Sequence, residues 1–108
     1  MIEKGYQLEF FMEQNERHGN KLVYEWLIDK AKELGIRGAT AFTGALGFGE
    51  QRHMHSAHFF ELLDQPVQIT MIVREAEAIK LLSFLSDEKV DLFYVKLPAE
   101  FGRLGSKT

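Results

Sequence analysis

The stretch GATAFTGALGFGEQRHMHSAHFFEL, residues 38–62, separates two runs with the character of β-strands and is much longer than a turn requires. It holds four glycines and three histidines. Residues 38–43 begin a predicted strand, and their glycine and alanine content indicates close approach of another backbone or of a ligand. Residues 56–62 fit neither the helical nor the strand period. The connection therefore predicts a role beyond reversing the chain.

The segments around this stretch predict an α+β domain. Predicted strands cover residues 6–12, 38–43, 67–74 and 92–97, and predicted helices cover residues 21–34 and 75–86. We expect Asn20 to cap the first helix, Gly35 to end it, and Pro98 to end the last strand. The order matches the ferredoxin-like βαββαβ sandwich, an antiparallel sheet with two helices on one face and here a long loop between strands 2 and 3. Residues 1–98 are expected to form this domain, and residues 99–108 a mobile tail.

The second face of such a sheet has no helix to cover it. The second helix is expected to turn its apolar stripe toward the sheet, with Ala78, Ile79, Leu82 and Leu85. The uncovered face is expected to carry Phe10 or Phe11, Phe42, Ile72 and Tyr94. Exposed apolar patches of this kind usually mark an interface. The pattern therefore predicts a homo-oligomer whose sheets face one another.

Composition restricts the classes of partner. The chain has 108 residues, 13 basic and 16 acidic, for a formal charge of −3, so no overall positive field attracts nucleic acid or an anionic membrane. There is no cysteine, which is compatible with a cytoplasmic location. No run of about 18 apolar residues is present. We expect a cytoplasmic protein that neither binds nucleic acid nor inserts directly into a membrane.

The glycines of the long connection suggest an anion site. Glycine lets backbone N–H groups approach an anion closely, and an amide and a guanidinium nearby would add phosphate-binding donors. The residues concerned are Gly44, Gly47, Gly49, Gln51 and Arg52. On spacing alone the pattern favours a glycine-bulged strand end followed by an exposed arginine, and the anion site stays open as the second interpretation.

The histidines of the same connection suggest a metal site. In an extended segment His53 and His55 project to one side, where two imidazoles can share a zinc or copper ion, whereas His58 has the opposite parity. Solvated imidazoles are the alternative. The sequence shows no arrangement that joins a nucleophile, a base and an orienting residue, so we expect no enzymatic activity.

Two runs carry a family resemblance: KLVYEWLIDKAKELGIRGATAFTGALGFG, residues 21–49, and HMHSAHFFELLDQPVQITMIV, residues 53–73. They resemble an uncharacterised family of small PII-like proteins, relatives of the nitrogen regulatory protein PII, and the similarity covers residues 5–97. The resemblance implies a ferredoxin-like homotrimer with ligand clefts between subunits. It also implies that the long loop reads a partner, such as a transporter, channel or enzyme, and that the loop base helps to bind ATP or ADP.

The resemblance assigns individual residues. The loop base is similar to the PII pattern G-x-G-x-Q followed by a basic residue. The resemblance therefore implies that the nucleotide contacts are Gly47, Gly49, Gln51 and Arg52. The PII segment T-G-x-x-G-D-G-K is replaced by SDEK at residues 86–89, which leaves Lys89 as a phosphate partner. The paired C-terminal arginines of PII are reduced to Arg103. The implied ligand is an adenine nucleotide: ATP, ADP or AMP.

The leading hypothesis is a non-catalytic regulatory protein that binds a small anionic ligand between subunits and changes the order of loop 44–57. The alternative is a metal-binding trimer that resembles the divalent-cation tolerance protein CutA and uses His53, His55 and His58.

Overall fold

The structure is a computed structural model that describes residues 2–44, 46–48, 54–56 and 65–105. In chain order its elements are β1 (Glu3–Glu13), β2 (Arg17–His18), β3 (Lys21–Leu22), α1 (Val23–Glu33), β4 (Thr40–Thr43), β5 (Leu46–Phe48), β6 (Met54–Ser56), β7 (Pro66–Arg74), α2 (Glu75–Asp87) and β8 (Phe93–Phe101). The main sheet is antiparallel with strand order β4-β7-β1-β8. This is the ferredoxin-like arrangement, which confirms the predicted fold class.

Strand β1 organises the sheet because it pairs with β7 on one side and with β8 on the other. Its side chains alternate, so that Leu8, Phe10 and Met12 are buried beneath the helices while the intervening residues face the other way. The register with β7 sets Leu8 opposite Met71 and Phe10 opposite Ile69. All four of these side chains are at most 1% exposed, and they form the centre of the core.

Helix α1 begins later than predicted. Its buried stripe contains Val23, Trp26, Leu27 and Ala31. The predicted cap at Asn20 was wrong: the helix is preceded by Leu22, and no side chain caps it. Strands β2 and β3 instead form a short hairpin, with Gly19 in the left-handed conformation at φ 64°. The prediction for Gly35 is confirmed, because it ends the helix at φ 87°.

Helix α2 turns most of its predicted stripe to the sheet, since Leu82 also packs, partly buried, against the core. Ala78, Leu81 and Leu85 are buried, whereas Ile79 is 63% exposed, so its assignment to the core was wrong. Residues three and four apart share one face of a helix, and Ile79 lies about 100° around the axis from Ala78. The buried side chains of α2 that pack against the sheet are therefore Ala78, Leu81 and Leu85.

Strand β8 continues past Pro98 to Phe101, so the prediction that Pro98 ends it was wrong. Proline has no N–H to donate, but β8 pairs only with β1 and lies at the sheet edge, where a missing donor is tolerated. The division of the chain at residue 98 into a domain and a mobile tail stays a prediction.

The face of the sheet away from the helices, here called the open face, is rich in apolar side chains. Phe11, Phe42 and Ile72 lie on it, as predicted, with exposed fractions of 37%, 54% and 41%. The prediction for Tyr94 was wrong: it pairs with Phe10 on the helix side of the sheet. Its neighbours in β8 take the open face, since Phe93 is opposite Phe11 and Leu97 is opposite Gln7. Among the described residues, no helix is long and apolar enough to cross a membrane.

Candidate functional site

Gly44 directly follows β4 and marks the start of the long connection. Its N–H donates to the Pro66 carbonyl at 2.7 Å, so the two ends of the connection are tied together. A Cβ atom at this position would lie 2.9 Å from Pro66 Cγ. The close approach of Pro66 therefore favours glycine at this position. The close approach of another backbone predicted for residues 38–43 is not found at Gly38, where a Cβ atom would meet no atom within 4 Å.

The connection contains a small antiparallel hairpin in which β5 pairs with β6 and Gly47 lies opposite His55. The other predicted ligand and metal residues of the connection, Gly49, Gln51, Arg52, His53 and His58, lie outside the described residues. Their roles stay predictions. In the part of the chain that the structure does describe, no group of three or more His, Asp or Glu side chains is positioned to hold a metal ion.

Lys89 lies in the turn between α2 and β8 and has an unusual backbone. Its φ is 57°, and in the part of the chain that the structure describes it is the only residue other than glycine with a positive φ. L-residues other than glycine adopt this conformation rarely, and such residues concentrate at ligand clamps and switch regions. The turn leads into β8, whose first residue Phe93 pairs with Phe11 near the end of β1. Lys89 therefore lies at the same end of the sheet as Gly44.

Arg103 lies at the opposite end. It follows Phe101, which pairs with Glu3 at the start of β1, whereas Pro66, the partner of Gly44, pairs with Glu13 at its end. Ten residues of strand separate these two pairs, which corresponds to about 33 Å. One copy of the chain therefore does not bring Arg103 together with Gly44 and Lys89.

A shallow cleft of about 380 Å³ lies at the Arg103 end of the sheet, on the side of α2. Its lining residues are Lys4, Gly5, Tyr6, Glu75, Pro98, Ala99 and Glu100. None of the predicted ligand residues belongs to it. Gly44 and Lys89 therefore lie outside this cleft. The described part of a single chain does not form a ligand site from the predicted residues.

An ion-pair cluster that the sequence did not indicate lies at this same end of the sheet. Arg74 Nε donates to Glu3 Oε1 at 2.5 Å, and Arg37 Nη2 lies 3.8 Å from Glu3 Oε2. The hydrogen bond from Arg74 lowers the pKa of the Glu3 carboxyl below its usual value. The three residues are far apart in the chain, so only the fold brings them together.

Solved structures of PII-like proteins share this fold. The chain is similar to CPII, a nitrogen regulatory PII-like protein from Thiomonas intermedia K12 solved with ADP, AMP and bicarbonate, with a TM-score of 0.71 and 21% identity over 95% of this chain and 92% of that one. It is also similar to a protein from Thermus thermophilus described as a candidate PII-like signaling protein, with a TM-score of 0.62 and 17% identity over 93% and 90% of the two chains. The fold is therefore that of PII-like proteins.

The family follows from the sequence comparisons. The model of the family DUF190, described as Uncharacterized ACR, COG1993, matches residues 5–92. A UPF0166 protein of Aquifex aeolicus (strain VF5) is 32% identical over 73 residues, which cover 68% of this chain and 70% of that protein. The chain belongs to the DUF190 family, as its resemblance to an uncharacterised PII-like family predicts.

Proposed function

We propose that this protein is a non-catalytic, cytoplasmic regulatory protein that binds an adenine nucleotide between copies of its own chain. The ligand-responsive element is the connection over residues 44–57, which would report the bound state to a partner such as a transporter, channel or enzyme. The likeness to CPII solved with ADP and AMP supports this ligand class.

The observation that carries the proposal is the separation of the candidate ligand residues. Gly44 and Lys89 lie at one end of the sheet and Arg103 at the other, about 33 Å away along the strands. A second copy is the means by which an arginine from one chain reaches the glycine and lysine of another. A cleft between copies would then present backbone donors, an ammonium and a guanidinium to one polyphosphate.

The alternation in β8 supports assembly through the open face. Phe93, Val95 and Leu97 point to the open face, whereas Tyr94 and Lys96 point to the helix side. An isolated subunit would be more stable if Phe93, Val95 and Leu97 faced the helices, because burial of apolar area is the main favourable contribution to folding. Apolar side chains of β8 on the open face are expected if another copy covers that face. We propose that the assembly is a homotrimer.

Calorimetry with ATP, ADP and AMP tests the ligand. We expect binding by the wild type and weaker binding by Lys89→Ala and Arg103→Ala, with Lys80→Ala on the outside of α2 as the charge-matched control. Mixing the Lys89→Ala and Arg103→Ala variants should restore part of the binding, because mixed assemblies contain clefts with both residues intact. No heat with any of the three nucleotides at millimolar concentration would refute the proposed ligand, and failure of mixing to restore binding would refute a cleft shared between copies.

A further inference from the structure

The β2–β3 hairpin contacts the turn that carries Lys89. His18, the last residue of β2, places its Nε2 atom 3.4 Å from Glu88 Oε1. Glu88 is the capping residue at the C-terminal end of α2 and directly precedes Lys89. The two residues are 70 positions apart in the sequence, so the contact joins the N-terminal hairpin to the entry of the last strand.

Contacts among three rings, called here the ring cluster of His18, Trp26 and Phe84, accompany this contact. The His18 ring lies 4.4 Å from the Trp26 ring, and Trp26 in turn stacks on Phe84 at 6.0 Å with an interplanar angle of 26°. Trp26 is only 6% exposed, so it is fixed in the core. Phe84 belongs to the last turn of α2, and its carbonyl accepts the N–H of Glu88 at 3.0 Å. The hairpin therefore contacts the end of α2 through Trp26 as well as through Glu88.

The backbone conformation of Lys89 depends on the contacts around its turn. A lysine at φ 57° is held in a region that its side chain disfavours, so the surrounding contacts must define the turn. Its N–H donates to the Ser86 carbonyl at 3.2 Å. The residues on the N-terminal side of the turn, Phe84 and Glu88, are those that Trp26 and His18 contact.

We propose that His18 is a positioning residue for Lys89. Its bond to Glu88 and its contact with Trp26 hold the turn so that the Lys89 ammonium is presented at the Gly44 end of the sheet. The part of this inference that concerns a ligand rests on the proposed function. The positioning of the turn does not. When a phosphate engages Lys89, we expect the environment of Trp26 to change, because the contacts of His18 and Phe84 join Trp26 to the same turn.

Amide hydrogen exchange tests the positioning without any ligand. His18→Ala should speed exchange at Lys89 about fivefold, as expected when one stabilising hydrogen bond is removed. The matched control is Lys21→Ala: Lys21 pairs with His18 in the hairpin, but its Nζ contacts Asp29, 3.2 Å away on α1. Glu88→Ala, at a half-exposed position, should reproduce the effect of His18→Ala and replaces it if that variant does not fold. Unchanged exchange at Lys89 in the folded variant, or an equal increase in Lys21→Ala, overturns the inference.

ADP titration tests the link to the ligand. Trp26 is the only tryptophan of the chain, so tryptophan fluorescence reports the ring cluster alone. The wild type should show a change in emission on binding ADP, and His18→Ala should bind about threefold to tenfold more weakly with a smaller change. Equal affinity and an equal emission change in the two proteins overturn the inference and leave the proposed ligand standing. If the wild type binds no nucleotide, the proposed ligand is refuted, and the exchange measurement still decides the role of His18.

Discussion

Replacement of Phe42 by alanine should weaken self-association without unfolding the subunit. Phe42 lies on the open face and is 54% exposed in a single copy. A phenylalanine side chain presents on the order of 200 Å², so about 110 Å² remains for another copy to bury. At about 25 cal/mol per Å² this area contributes about 2–3 kcal/mol per copy. Each 1.4 kcal/mol is a factor of ten, so we expect the association constant to fall about 100-fold for each phenylalanine ring removed from the interface.

Sedimentation velocity and native mass spectrometry over a range of concentrations measure this effect. The control variant is Ile79→Ala, which removes a comparably exposed apolar side chain, 63% exposed, from the helix side of the molecule. The melting temperature of Ile79→Ala should stay close to that of the wild type, whereas that of Phe42→Ala should fall to the extent that assembly stabilises the folded subunit. Far-UV circular dichroism should show both variants folded, since neither side chain is part of the core. A wild type that remains a monomer as concentration rises would refute assembly through the open face. Equal association constants for the wild type and Phe42→Ala would show that Phe42 is not part of the interface.

Two further predictions concern the Glu3 end of the sheet. Arg74→Gln should raise the pKa of Glu3, as followed by NMR titration, because the Arg74 hydrogen bond is the main cause of its lowered value. Since that pKa is lowered by folding, the contribution of this exposed pair to stability is present above the unfolded pKa and disappears as the pH falls through the folded one; an unchanged pKa would contradict the pairing. Gly5→Ala should cost about 1–3 kcal/mol in urea unfolding, because its Cβ would lie 1.9 Å from the Val73 carbonyl oxygen. Gly38→Ala, which meets no atom within 4 Å, should change stability by less than about 0.5 kcal/mol.

The periodic parts of the chain were predictable. The run over residues 67–74 alternates apolar and polar side chains, and β7 occupies Pro66–Arg74 with Val67, Ile69, Met71 and Val73 buried. This alternation is a local property, because successive side chains of a strand point to opposite faces whatever lies around them. The order of these elements predicted the ferredoxin-like fold class, and the family resemblance added the nucleotide as ligand class and the roles of Lys89 and Arg103.

The errors fall where a local pattern had two solutions. Asn20 is a good helix cap by type, but residues 21–22 form backbone hydrogen bonds with the preceding strand instead. In helix α2, Ile79 and Leu81 flank the predicted stripe on opposite sides, and packing against the sheet buries Leu81 and leaves Ile79 exposed. In β8, adjacent aromatic residues left the parity open, and Phe93 rather than Tyr94 took the open face.

The candidate site was predictable only in its parts. Gly44 and Lys89 were named from the sequence, but their common location at one end of the sheet, with Arg103 at the other, depends on strand order and register. The contact between His18 and Glu88 had no signal in the sequence, because residues 70 positions apart meet only after both helices pack.

The amino-acid sequence by itself determined which segments become strands and helices and how they alternate along the chain, because side-chain periodicity and glycine conformations act over a few residues. Only the tertiary structure decided which parity of β8 lies away from the helices and which distant residues share an end of the sheet. Those choices depend on the registers of β1 with its two neighbours, and a register is selected by the packing of the whole core.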